Sequence, residues 1–192
     1  MAGGGDRADF PLRLVKFALI VAVAAFAAGC FYADEPLIER RFADRGIEPG
    51  FYTHAPVDPV TQEEWAPPTW EGEIRYHRDR RYRADMENFP HQGVRMRSLG
   101  GNVYVAEVPD RDGEPIYSYG LLFVYAGGVI AYHIPACSDL SETGRDAAGL
   151  DIDEEGACKI DDLETLEAAF SAYLREHEGS LRIDGIYRRV GG

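Results

Sequence analysis

Downstream of residue 72 the chain alternates apolar and polar positions with a period of two. Ile74, Tyr76, Tyr82, Ala84 and Met86 fall on even numbers, and Glu73, Arg75, His77, Arg81, Arg83 and Asp85 on odd ones. That is the pattern of two half-buried strands. Both arms keep their apolar residues on one face only if the connection preserves parity. A three-residue turn at Arg78, Asp79 and Arg80 does so and sets Tyr76 level with Tyr82 and Arg75 opposite Arg83; a two-residue turn would place Tyr76 beside Arg83. Val94 and Met96 alternate with Arg95 and Arg97, Gly100, Gly101 and Asn102 predict a turn, and Val103 to Val108 the next strand before a turn at Asp110, Arg111, Asp112 and Gly113. From Ile116 to Ala126 both parities are apolar or aromatic, which predicts a central strand buried on both faces. Gly127 and Gly128 then turn the chain into a strand over Val129 to Ile134.

One segment has helical spacing. Leu163, Leu166, Phe170, Tyr173 and Leu174 recur on one face, with Asp161 as the expected cap, Glu164 at the third helical position and Gly179 as the stop after Arg175 and His177. A final strand over Leu181 to Val190 carries an Asp184-Gly185 interruption that suggests a bulge. The sum is an α+β domain over residues 73–192, an antiparallel β-meander sheet of five to seven strands packed by one C-terminal amphipathic helix. Residues 30–72 differ, holding six of the 11 prolines (Pro36, Pro49, Pro56, Pro59, Pro67 and Pro68). Prolines at this density exclude long helices and central strands, so the segment reads as a tether and wrapping piece with one short strand at Gly50 to His54. Trp65 and Trp70 within it either plug a core edge or stack on a ligand.

Residues 1–29 read as an address instead of a fold. Arg7, Arg13 and Lys16 precede an apolar run from Phe17 to Ala28, 12 residues long, where a spanning helix needs about 20. The ending Ala27-Ala28-Gly29-Cys30 resembles the lipobox of bacterial lipoproteins, with Ala27 where a branched aliphatic residue is usual. The resemblance implies cleavage of a signal peptide over 1–29, lipidation of Cys30 with palmitate-like acyl chains, and a domain anchored in the cell envelope facing the periplasm. Stable anchoring takes at least two membrane signals, which several acyl chains supply. Phe31 occupies the place where aspartate would favour inner-membrane retention, so the outer membrane is preferred. An ordinary cleaved signal and an uncleaved anchor are the alternatives. With Cys30 consumed, Cys137 and Cys158 remain as an even pair in an oxidising compartment, where a disulfide persists; two separate buried thiols are the alternative.

Charge adds a polarity that the net value of -13 conceals. Residues 75–97 sum to +4 and residues 139–167 to -9. The overall acidity argues against a nucleic-acid partner, which requires cations to displace phosphate counterions. Arg75, Arg81, Arg83, Arg95 and Arg97 share one predicted sheet surface, where like charges side by side are unfavourable unless compensated. An anionic partner, either lipid or envelope polymer, would compensate them; so would this chain's own acidic segment. Asp151, Asp153, Glu155, Gly156 and Asp162 resemble an EF-hand calcium loop, with Cys158 where an aliphatic residue is usual and no entering helix. A solvated, helix-capping loop is the competing reading.

The five histidines are scattered and form no HExxH motif, and there is no GxSxG, GxGxxG or phosphate-cradling loop. The functional expectation is a non-catalytic interaction or structural module held to the membrane through Cys30, without a cofactor, contacting anionic lipid, envelope polymer or another envelope protein. Two alternatives stand beside it: an inhibitor of an exported hydrolase such as lysozyme, docking through its acidic segment, and a hydrolytic enzyme whose carboxylates no motif identifies.

Overall fold

The computed structural model describes residues 30–86, 88–109 and 116–191. The signal-like segment 1–29 and the turn at residues 110–113 lie outside these. The strands are β1 Phe31–Ala33, β2 Gly50–Pro56, β3 Trp70–Tyr76, β4 Tyr82–Ala84, β5 Arg95–Gly100, β6 Val103–Pro109, β7 Tyr117–Tyr125, β8 Val129–His133, β9 Cys158–Lys159 and β10 Gly185–Arg189, with helices α1 Glu142–Ala148 and α2 Leu163–Glu176. The fold is α+β. In place of the expected five to seven antiparallel strands, ten strands among the described residues form one mixed sheet. The parallel element is the pairing of β1 with β9.

Two of the added strands, β1 and β2, come from residues 31–72, which pack into the body, and a third, β9, from the acidic segment. Pro49 and Pro56 bound β2 without interrupting it, and Phe31, Ile38 and Tyr52 are fully buried. No length of free tether separates Cys30 from the sheet: the Cys158 N–H donates to the Cys30 carbonyl at 3.2 Å, and β1 begins one residue later.

The hairpin of β3 and β4 has the parity-preserving register, Tyr76 opposite Tyr82 and Arg75 opposite Arg83. Its turn closes with His77 N–H donating to the Arg81 carbonyl at 2.9 Å, and Arg80 takes the left-handed φ of 60° that the reversal requires. The antiparallel path β5-β6-β7-β8 continues through β10 and β2 to β3 and β4. The sheet curls until its ends meet at one bridge, with Tyr82 N–H donating to Val94 O at 2.9 Å and Gly93 N–H to Tyr82 O at 3.0 Å. β1 extends the line of β8 by pairing with the first half of β7, Phe31 opposite Tyr119, while β8 pairs with the second half, Leu121 opposite His133.

Alternation then sorts side chains into two cores, as expected for β7. Odd-numbered Tyr119, Leu121 and Phe123 join Phe31, Val105, Ala131, Leu166, Phe170 and Tyr173 beneath α2. Even-numbered Leu122 joins Tyr52, Trp70, Ile74, Tyr82, Met96, Ala106, Ile130, Tyr132 and Tyr187 inside the curl. The disulfide between Cys137 and Cys158, with Cα atoms 5.6 Å apart, ties the turn after β8 to β9.

Three local expectations are corrected. The α2 cap is Asp162, whose side chain accepts from Thr165 N–H at 2.8 Å from an extended backbone; Asp161 lies one residue too early to reach the first turn. A second helix, α1, is capped by Ser141 and ends at Gly149 in the left-handed region; it is too short to show an apolar period. The Asp184-Gly185 interruption is the start of β10 and not a bulge. A Cβ at Gly185 would stand 2.5 Å from the Tyr132 ring, so only glycine lets β10 approach β8 there.

Candidate functional site

The structure gives each of the five arginines a carboxylate neighbour, with Arg81 and Arg95 sharing one. Arg75 pairs with Glu73 at 2.6 Å and Asp85 at 3.1 Å, Arg83 with Asp79 at 2.5 Å, and Arg97 with Glu167 at 2.8 Å. Arg81 and Arg95 flank Glu107 at 3.5 and 4.0 Å. The partners are mainly carboxylates of the same sheet and its turn; only Glu167 comes from the acidic segment. Residues 38–43 lie over this surface, with Arg95 donating to Ile38 O at 3.2 Å, Arg97 to Phe42 O at 3.4 Å and Arg80 to Ala43 O at 2.7 Å. Each of these five arginines thus has a carboxylate of its own chain within 4.0 Å.

Glu107 is the most deeply buried charged residue of this cluster. Burial pushes its carboxyl above the usual carboxylate range, against the pull of the Ile38 N–H at 2.8 Å and of Arg81 and Arg95. Burial and then the neighbouring Arg95 lower the Arg81 pKa. Glu107 Oε1 and Arg95 Nε have no hydrogen-bond partner among the described residues, whereas Arg81 donates to Gly93 O at 2.6 Å and Arg95 to Asp79 O at 3.3 Å.

The calcium candidates are engaged elsewhere. Asp153 Oδ1 accepts from the N–H groups of Glu155 at 3.0 Å and Ala157 at 2.8 Å, and Asp162 is spent on the helix cap. Asp151 and Glu155 do not join them: among the described residues no group of three or more His, Cys, Asp or Glu side chains could hold a metal ion. Contrary to the expectation of no entering helix, α1 ends just ahead of Asp151, while Cys158 is held in the disulfide and in β9.

Residues that the sequence left scattered converge inside the curl. His54 is buried, hydrogen-bonded through Nδ1 to Thr69 Oγ1 at 3.1 Å and through Nε2 to Tyr132 Oη at 3.1 Å. Burial lowers its pKa to about 4, so the ring is neutral at ordinary pH. His91 Nδ1 meets Tyr187 Oη at 2.6 Å, and its ring stands edge-on to Tyr132 with centroids 4.5 Å apart. Trp70 packs on Phe89 in the same core at 4.9 Å, which makes it a core residue, whereas Trp65 is exposed. On the other side of β8, His133 bridges Asp184 at 2.8 Å and Tyr173 of α2 at 2.7 Å, a clamp between sheet and helix. Both ring nitrogens of His54 and of His133 have hydrogen-bond partners within the chain. His54 had one legible signal, its shared parity with Tyr52.

Cys30 borders a groove of about 450 Å³ whose other walls include Pro56, Val57, Trp65, Ile134 and Asp184. Burial, and then the Asp184 charge, raise the Cys30 thiol pKa above its usual value. Tyr132, His133 and Ile134 also line a second, almost wholly apolar cavity of about 190 Å³ inside the curl. No helix among the described residues is long and apolar enough to cross a membrane. Compared with protein-family models, with curated proteins and with solved structures, the chain shows no significant match.

Proposed function

We propose that the chain is a cell-envelope lipoprotein whose α+β body serves, without catalysing a reaction, as an interaction module held at a membrane through Cys30. The observation that carries the reading is the lipobox-like Ala27-Ala28-Gly29-Cys30 ending directly at the start of β1. Cleavage before Cys30 leaves every described strand in place, and a lipid on Cys30 brings the body against the bilayer with no spacer. Trp65 and Ile134, both exposed on the groove beside Cys30, then face the headgroups, a region where Trp is favoured. The disulfide suits an oxidising, exported setting. Phe31 after the cysteine favours the outer membrane. The working contact is a neighbouring envelope component that meets the groove side, since Arg75, Arg81, Arg83, Arg95 and Arg97 already have carboxylate partners within the chain.

Mass spectrometry of the N-terminus and radiolabelled-palmitate incorporation in a bacterial host test this. The mature chain is expected to begin at Cys30, carry label and fractionate with membranes; Cys30→Ser should lose both label and membrane association. A mature chain that starts elsewhere, or a labelled Cys30→Ser variant, overturns the reading.

A further inference from the structure

The cavity inside the curl follows from the sequence at one register position. Ala106 of β6 lies directly opposite Gly120 of β7, and both line the cavity, so the two smallest inward-facing residues stand side by side where their neighbours are large. Gly120 is not interchangeable with a larger residue, because a Cβ there would stand 3.0 Å from the His133 carbonyl oxygen. The space is therefore fixed by backbone packing of β7 on β8. Around it stand Ile74, Tyr82, Leu122 and Ile130, with few polar atoms among them. Water needs two to four polar partners to occupy such a site. An apolar void is also unusual in an interior otherwise packed to crystal-like density.

The volume of about 190 Å³ exceeds the roughly 150 Å³ of an engineered apolar cavity that stays dry and takes up benzene. A curled sheet of eight strands encloses just enough space for one small ligand. The cavity also has an edge at the surface: exposed Ile134 and half-buried Pro90 and Ser118 line it. We propose that this cavity is a binding site for one small apolar molecule, of the size of a single aromatic ring or a short hydrocarbon chain, entering past Ile134. The site does not depend on the lipid at Cys30. Its ligand is recognised by shape and by exclusion of water, with Tyr82, Tyr132 and Tyr187 in the lining.

The test uses the full chain in lipid nanodiscs, since detergent would compete, with benzene and indole as probes and thermal unfolding as the readout. At about 100 times its dissociation constant, a probe that binds only the folded chain should raise the midpoint by about 5–10 °C. Ala106→Leu, which fills the space from β6, should unfold no lower than the parent without probe and should show no probe-dependent shift. Ile130→Phe fills the same space from β8 and gives the same reading if the first variant fails to fold. The proposal is overturned if the parent chain shows no shift, if either filled variant keeps the parent's shift, or if neither enlargement folds, because then no usable space exists.

Discussion

The two faces of strands β6, β7 and β8 bury different chemistry. The outer face meets α2 and the segment after β1 and is filled by Leu121, Phe123, Leu166, Phe170 and Phe31, with the Cys137–Cys158 bridge across it. The inner face meets the curl of its own sheet, with Ile47 and Phe89 added from connecting segments, and is lined by tyrosines, Trp70 and His54, with a cavity left between them. The contrast has a geometric cause. A helix or a loop can move in until side chains touch, so the outer core closes like any layered interior. A sheet wrapped on itself cannot shrink below the radius that its strands impose. Where two inward positions are small, as at Ala106 and Gly120, the space stays open. Stability is concentrated on one face and capacity for a ligand on the other.

The largest expected effect comes from cutting into the filled face. Phe170 is fully buried and packs on Phe31 with ring centroids 5.1 Å apart. Phe170→Ala should cost about 3–5 kcal/mol, while Leu122→Ala, beside space that already exists, should fall toward the lower end of the usual range of about 2–5 kcal/mol. Denaturant unfolding of the two variants measures the difference; equal losses would remove the distinction between the faces.

His54 on the inner face and Glu107 on the outer are both buried, and the two respond to acid in opposite directions. His54, inside, has its pKa lowered by burial to about 4 from the ordinary 6.5. Between those values the unfolded chain binds the proton and the folded chain does not, so stability falls as pH drops through this window, by up to about 3 kcal/mol below pH 4. Glu107, outside, has its carboxyl pKa raised by burial, so its protonation favours the folded chain as pH falls. Thr69 and Tyr132 hydrogen-bond the two nitrogens of His54, and Tyr187 packs against its ring. His54→Gln should therefore flatten the pH dependence of unfolding between pH 6.5 and 4. An unchanged slope would place the acid sensitivity elsewhere.

The outer face was the more legible of the two. Parity along Ile116–Ala126 and the helical spacing from Leu163 to Leu174 announced a doubly buried strand and the helix that covers it, because both signals are local. The hairpin register followed from one parity constraint. What stayed hidden depends on contacts between distant residues. The prolines at 36, 49 and 56 suggested a wrapping segment, yet they flank strands whose partners, β7 and β10, lie far away in the chain. The arginine surface gave away its need for compensation but not its partners, Glu107 and the carbonyls of residues 38–43. His54, His91, Tyr132 and Tyr187 come from three strands and a connecting loop and meet only when the sheet curls.

The smallest effect separates two adjacent residues with the same side chain. Asp161 and Asp162 are equal candidates for the α2 cap by composition, and the capping-box spacing to Glu164 favoured the first. In the structure Asp162 is extended, with φ -151°, and its carboxylate takes the Thr165 N–H at 2.8 Å and the Thr165 hydroxyl at 3.1 Å. Those bonds, with the backbone N–H of Glu164, hold its carboxyl below the usual range. Asp162→Ala should cost about 1 kcal/mol and Asp161→Ala a few tenths at most, the scale of a surface change without a partner. Because α2 seals only the outer face, the Asp162→Ala loss should appear undiminished whether or not indole is present, whereas a loss that changes with the probe would mean that the two faces are coupled through β7.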